Sequence, residues 1–204
     1  MHQDRVDVTR DAGYLDNLLS KLRCRQANRL IQPKYRSGRI LDIGCGTYPL
    51  FLLKTNFAHK YGMDQVVDDQ SHARWHADGI CFANYNLERD NRMLFEDDFF
   101  DVITMLAVFE HVEPEKLVHQ LTEIRRILKP EGTFIMTTPA AWTDGVLTLM
   151  AALHLVSPVE FKEHKDAYTP TKILTLYQKA GFLKERIKTG YFEMFMNIWV
   201  AAHK

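Results

Sequence analysis

The chain has 204 residues, 46% of them hydrophobic, enough to fill one large core, so a single domain with appendages is expected. Lys plus Arg equals Asp plus Glu at 26 each, which leaves no basic field for phosphate backbones and makes nucleic acid an unexpected partner. Met1 and the Asp- and Arg-rich residues that follow carry no secretory apolar run, and the longest mainly apolar stretch, 145–156, is 12 residues, short of the ~20 that span a bilayer. A cytoplasmic protein without a transmembrane segment is the expectation. Cys24, Cys45 and Cys81 stand at spacings that suit neither a disulfide framework nor paired zinc ligands, so reduced thiols are expected and no metal site is assigned.

Over 12–31, Tyr14, Leu15, Leu18, Leu19, Leu22 and Leu30 recur at the spacing of an amphipathic helix. Ile40, Leu41 and Ile43 form a short strand that runs into Gly44-Cys45-Gly46, and Leu50 begins the next helix. A second strand over 60–63 ends on Asp64 and a third covers 80–85, with a polar, helix-compatible segment between them. The apolar run 99–108, interrupted only by Asp101 and Thr104, predicts a central strand buried on both faces. Pro114 suits a first helical turn, Leu117, Leu121, Ile124 and Leu128 line one face of that helix, and Pro130 with Gly132 closes it. A fifth strand follows over 133–138. Beyond Pro139 come an apolar helix over 142–156, a polar connector, and a helix capped by Thr169, opened by Pro170 and stopped at Gly181. Two last strands, 182–188 and 191–202, are separated by Thr189-Gly190, which suggests a hairpin there. Strands alternating with helices at this interval make right-handed parallel βαβ units, so the expected class is α/β with a doubly wound, Rossmann-like sheet.

In such a sheet the ligand lies over the carboxyl ends of the strands at the switch point. There the first strand ends in Asp42-Ile43-Gly44-Cys45-Gly46-Thr47: the glycines let backbone approach a ligand, and the Asp42 carboxylate can receive an ammonium group directly or through water. A plain tight turn would use the same two glycines. Asp64 follows Gly46 by 18 residues, near the ~20 at which an acid reaches the ribose of a nucleoside, and this favours an adenosine-containing ligand. Asn86 can offer an amide to an adenine edge with Leu87 packed on the ring, or serve as a turn residue.

The segments Arg39-Ile40-Leu41-Asp42-Ile43-Gly44-Cys45-Gly46, Tyr61-Gly62-Met63-Asp64, Phe100-Asp101-Val102-Ile103, Glu110-His111-Val112 and Ile124-Arg125-Arg126-Ile127-Leu128-Lys129-Pro130-Glu131-Gly132 resemble the consecutive motifs of class I S-adenosylmethionine-dependent methyltransferases, in order and spacing. The resemblance implies a seven-stranded sheet with an antiparallel last strand. It implies S-adenosyl-L-methionine as cofactor, with Asp42, Gly44, Cys45 and Gly46 around its methionine part and Asp64 on the ribose with Gln65 beside it. Asn86 and Leu87 would lie near the adenine, and the backbone around Leu106 would accept the ammonium group. Tyr48 departs from the pattern, standing where many members carry a third glycine. The division implied is a helical segment over 1–36 and a methyltransferase domain over 37–204, with 140–168 as an acceptor-side insertion. The segment 163–169 is similar to a histidine-containing segment of ubiquinone-type and sugar- or lipid-modifying members, which would hang His164 and Tyr168 over the acceptor; the alternative is that both pin a helix entrance.

The expected function is methyl transfer to an oxygen or nitrogen of a small-molecule, sugar- or lipid-linked acceptor, as a monomer or a homodimer. His111 is the candidate base, because a neutral imidazole takes a hydroxyl proton near pH 7; a structural His paired with Glu110 is the alternative. The 142–156 helix, with Leu147, Leu149, Met150, Leu153 and Leu155, is a candidate lid, a membrane or subunit contact, or plain packing. A non-catalytic cofactor-binding module is the rival reading, and an NAD-dependent oxidoreductase a weaker one, because Gly44-Cys45-Gly46-Thr47-Tyr48-Pro49 lacks the last glycine of that fingerprint.

Overall fold

A computed structural model describes residues 16–65, 69–143 and 168–204. The strands are β1 (Arg39–Ile43), β2 (His59–Asp64), β3 (Ile80–Asn84), β4 (Phe100–Leu106), β5 (Leu128–Pro139), β6 (Ile187–Phe192) and β7 (Asn197–His203). They form one sheet in the order β3-β2-β1-β4-β5-β7-β6. Pairing is parallel from β3 across to β5, whereas β7 runs antiparallel to both β5 and β6. The order therefore reverses between β1 and β4, which opens a crevice at their carboxyl ends.

The near-continuous apolar strands make sense because each face has its own core. Leu41, Ile43, Ile103, Met105, Phe134, Met136, Ile198 and Val200 point to the face covered by α4 (Pro114–Ile127) and α5 (Pro170–Lys179). Ile40, Val102, Ile135 and Ala201 point to the other, covered by α1 (Asp16–Leu30), α2 (Leu50–Lys54) and α3 (Asp69–Ala77). Helix α1 contributes Cys24 and Ala27 to that second core. Among the described residues no helix is long and apolar enough to cross a membrane. Residues 144–156 of the expected lid helix lie outside the described residues, as does His164.

Two boundaries differ from the sequence expectation. Pro130 and Gly132 do not close α4: Leu128 is already extended and pairs with Phe100, and residues 129–132 belong to β5 as an irregularity in its register with β4. Asp101, opposite this bulge, accepts hydrogen bonds from Lys129 Nζ and from the Arg39 amide, so proline and a left-handed Glu131 sit where no regular ladder is required. The Thr189-Gly190 pair is no hairpin turn either. Thr189 faces Val200 and Gly190 faces Trp199 within the ladder, and a Cβ on Gly190 would stand 2.8 Å from the indole, so this glycine makes room for Trp199. The chain turns instead at 193–196, and a 3-10 turn at Lys184–Arg186 occupies the start of the expected 182–188 strand.

One arginine fastens α4 to the segment before β4. The Arg126 guanidinium, mostly buried, binds both Glu123 oxygens (2.8 and 2.9 Å), Asp97 (2.7 Å) and the carbonyls of Phe95 and Met93. Its hydrogen bond holds the Glu123 carboxyl below its ordinary range against the opposing effect of burial. Replacing Arg126→Met strands a mostly buried carboxylate and two carbonyls, and should cost about 3 kcal/mol in chemical denaturation at pH 7. Because the folded-state Glu123 value is depressed, its contribution is present above the unfolded value and vanishes as pH falls through the folded one. The gap between wild type and variant should therefore narrow in acid.

Candidate functional site

The glycine turn after β1 is held by the end of β2. The Gly44 amide donates to the Met63 carbonyl (2.7 Å), and the Gly46 amide donates to Asp64 Oδ2 (2.8 Å), while Asp64 Oδ1 accepts from the Gln65 amide (2.7 Å). Both glycines are left-handed, with φ of 72° and 67°. They serve different ends. A Cβ on Gly44 would stand 2.3 Å from Val108, so Gly44 lets the segment after β4 pack against the turn. A Cβ on Gly46 would meet nothing within 4 Å, so open space lies over that position. Cys45 is buried and its thiol donates to Met63; burial pushes it far above the ordinary thiol range, so only its backbone is open to chemistry. Tyr48 is exposed, and the indole of buried Trp75 in α3 donates to the Thr47 carbonyl, which anchors the far side of the turn.

Asp42 is buried one residue before the end of β1. Thr104, its register partner on β4, donates to Oδ1 at 2.6 Å. Burial raises the Asp42 carboxyl to about 7, a rise moderated by the Thr104 hydroxyl and reinforced by the charge of Asp64. The sequence reading passed over Thr104, although a polar residue in an otherwise apolar strand is the signal that finds it.

Asn86 is an Asx turn. Its side-chain oxygen accepts from the amides of Glu88 and Arg89, and its Nδ2 donates to Gln65 Oε1, which links the ends of β3 and β2. Leu87 packs on the core under α4 and α5. That loop is fixed by groups the sequence reading did not single out: the Tyr85 hydroxyl proton is shared between the Asp90 carbonyl (2.8 Å) and Gln120 Oε1 (3.0 Å), and Gln120 Nε2 donates to the carbonyls of Leu87 and Asp90.

On the other side of the crevice, Leu106 ends β4 and Ala107, left-handed at φ 54°, donates to Thr137. His111 closes a 3-10 turn over Phe109–His111, half-buried just beyond the carboxyl end of β4. The buried carboxylate of Glu110 accepts from the Thr138 hydroxyl (3.0 Å). Tyr168 is buried, its ring edge-on to Phe109 at 4.9 Å, and its carbonyl accepts from the Ala141 amide. It thereby packs the entrance of α5 onto the turn that carries His111.

The site therefore gathers Asp42, Gly44, Cys45, Gly46, Asp64, Gln65 and Asn86 around the ends of β1, β2 and β3, with Leu106 and His111 across the crevice. Comparison with known proteins agrees with this frame. A family described as "Methyltransferase domain" matches residues 14–185. A 102-residue stretch, 49% of this chain, is 32% identical to cyclopropane-fatty-acyl-phospholipid synthase of Escherichia coli K12 and spans only 26% of that protein's length. The fold is similar to that of an S-adenosylmethionine-dependent methyltransferase from Mesorhizobium loti, at 18% identity and TM-score 0.64 over 91% of this chain and 100% of the other. It is likewise similar to one from Thermotoga maritima, at 19% identity and TM-score 0.67 over 94% and 92%.

The buried Asp42 has a measurable consequence. With its folded value near 7 and an unfolded one of ~3.9, the folded chain retains a proton that the unfolded chain releases, so this group's contribution to stability declines from pH ~4 to ~7 and is level above. In the ligand-free protein, Asp42→Asn should gain on wild type across that window, seen as a rising difference in urea midpoint. Parallel pH profiles for the two proteins would contradict the raised value.

Proposed function

We propose, from the premise that the chain belongs to the methyltransferase-domain family and takes S-adenosyl-L-methionine as its methyl donor, that it methylates an oxygen or nitrogen of a small-molecule, sugar- or lipid-linked acceptor. The observation that carries this reading is the open space over left-handed Gly46, bordered by the Asp64 carboxylate. Each oxygen of Asp64 accepts one backbone amide and retains a lone pair, which suits two ribose hydroxyls. Asp42, ionised above pH 7, and the backbone about Leu106 suit the ammonium end, and the pinned Asn86–Leu87 loop suits the adenine edge. The donor supplies a methyl group on a sulfonium, transferred by in-line displacement. What the chain adds is chiefly positioning, which contributes ~7 to 11 kcal/mol where a general base adds a factor of ~10² to 10⁴. His111, across the crevice at the end of β4, is the residue we assign to hold or take the acceptor's proton.

The partial match to a fatty-acyl-phospholipid synthase supports the lipid-linked branch of this reading, as do exposed Trp142, Met194 and Phe195 near the carboxyl end of the sheet. Cys24, Cys45 and Cys81 are all free thiols, which suits the reducing cytoplasm to which we assign the protein.

Two measurements test the reading. Gly46→Ala, whose side chain enters open space, and Asp64→Ala, which removes a charged acceptor contributing about 1.5 to 3 kcal/mol, should each weaken S-adenosylmethionine binding at least tenfold in calorimetry. Unchanged affinity in folded variants would move the donor away from this turn. His111→Gln should leave that affinity intact and lower single-turnover methyl transfer by about 10² to 10⁴. A variant that keeps its rate would remove His111 from the chemistry.

A further inference from the structure

The net neutrality of the chain conceals a segregation of charge. Between residues 17 and 60 stand nine Lys or Arg residues and a single acid, Asp42, which is buried. Several of these cations are engaged: Arg36 bonds to Asn28, Thr55 and Asn56, Arg39 lies over the Phe99 ring, and Lys60 donates to the Leu52 carbonyl. Lys21, Arg25 and Lys54 are different. All three are exposed, and none forms a hydrogen bond or ion pair with a described residue. Lys21 and Arg25 are four residues apart on α1, with Arg29 a further turn on, and neither α1 after Asp16 nor α2 carries an acid to relieve them. Like charges at that spacing destabilise a helix.

The three cations line one groove. It lies between α1 and α2 and holds about 270 Å³, with Lys21, Cys24, Arg25 and Asn28 on the α1 wall and Leu50 and Lys54 on the other. Positions 21, 24, 25 and 28 form a single helical stripe, so the α1 wall is one continuous face. Asn28 fixes the distance between the walls. Its Nδ2 donates to the Cys24 carbonyl (3.2 Å), and its Oδ1 accepts from Arg36 (3.1 Å) and from the hydroxyl of Thr55 (2.7 Å), the residue that follows α2. Cys24 is the one acidic group in the lining, and burial pushes its thiol up to about 12, so it stays protonated. The groove thus has cations on both walls and no anion of its own. It shares no lining residue with the donor crevice.

We propose that the α1–α2 groove is a binding site for a phosphomonoester, with Lys21, Arg25 and Lys54 on its phosphate; the site is separate from methyl-donor binding and does not rest on it. Two ammonium groups and a guanidinium suit a dianion with three free oxygens, and the planar fork of Arg25 can take two of those oxygens at once. A carboxylate has one charge and two oxygens for three cations, and a neutral polyol leaves all three uncompensated. The groove takes a phosphate on a short carbon body, at the lower end of small-molecule sites, and Leu50 offers that body an apolar wall. Binding also removes the repulsion along α1, which the free protein has no acid to relieve. The phosphate belongs either to a soluble ester or to a lipid headgroup, and both present the same group to the groove.

The test titrates the full chain with glycerol phosphate, and with glycerol and butyrate as controls, by amide NMR at ~0.1 M ionic strength, where distant charges are screened. Glycerol phosphate should bind saturably and shift the amides of α1 and α2, and the controls should not. Arg25→Met and Lys54→Met, both at exposed positions that the fold does not need, should each weaken that binding about tenfold. Arg29→Met removes a cation from the same helix outside the groove and should change it less than about twofold. Phosphatidylcholine vesicles with and without phosphatidic acid then identify the source: retention that needs phosphatidic acid and is lost in the same two variants assigns a lipid headgroup, and no retention assigns a soluble ester. Absence of saturable glycerol phosphate binding, equal or tighter binding of butyrate, or an equal loss in Arg29→Met, the sign of a diffuse field, overturns the site. So does a loss of S-adenosylhomocysteine affinity in Arg25→Met or Lys54→Met, which would make the groove part of the donor crevice.

Discussion

The amides of Gly44 and Gly46 donate to groups at the end of β2, and the geometry of the crevice follows from these bonds. They lock two adjacent strand ends to each other and fix a turn whose backbone must be left-handed twice within three residues. With the turn fixed, Val108 closes against Gly44 from the β4 side, Trp75 braces Thr47 from α3, and the space over Gly46 stays clear. Asp64 serves both ends of the arrangement: it orders the turn through Gly46 and presents its remaining lone pairs outward.

The carboxylates of Asp42 and Asp64 illustrate how environment divides two like residues. Asp64 is only half-buried and bonded to two amides, whereas Asp42 is buried with one hydroxyl donor and holds its proton to about 7. A group in that state carries charge when a cation arrives and sheds it at little cost when none is present. The fold tolerates the burial because Thr104 stands opposite in the ladder, a contact made by register rather than by the local chain.

Much of this was legible in the residues. Unbroken apolar strands, glycines after the first of them and an acid after the second specified a doubly wound sheet and put those glycines and that acid together at its carboxyl edge. Gly190 misled because a glycine beside a threonine reads as a turn, while its purpose is to clear the ring of Trp199 across the ladder. Pro130 and Gly132 misled in the same way, since a bulge opposite Asp101 absorbs them without ending anything. The role of Gln120 arises from contacts between distant segments, and no local pattern announces it. Likewise the two glycines of the turn look equivalent in sequence, and only packing separates the one that admits Val108 from the one that faces open space.

The reversal of strand order between β1 and β4 bears on how the chain folds. Asp42 and Thr104 are 62 residues apart, and nothing brings them together until β2, α3 and β3 have been looped out and the two central strands pair in parallel. Parallel, non-local pairing of this kind is slow, because loop-closure entropy is lost before the contacts that reward it form. Each half of the crevice lies on opposite sides of that late event. A nascent or partly unfolded chain therefore holds no half-built version of it, and the crevice should emerge in the same cooperative step as the central sheet itself.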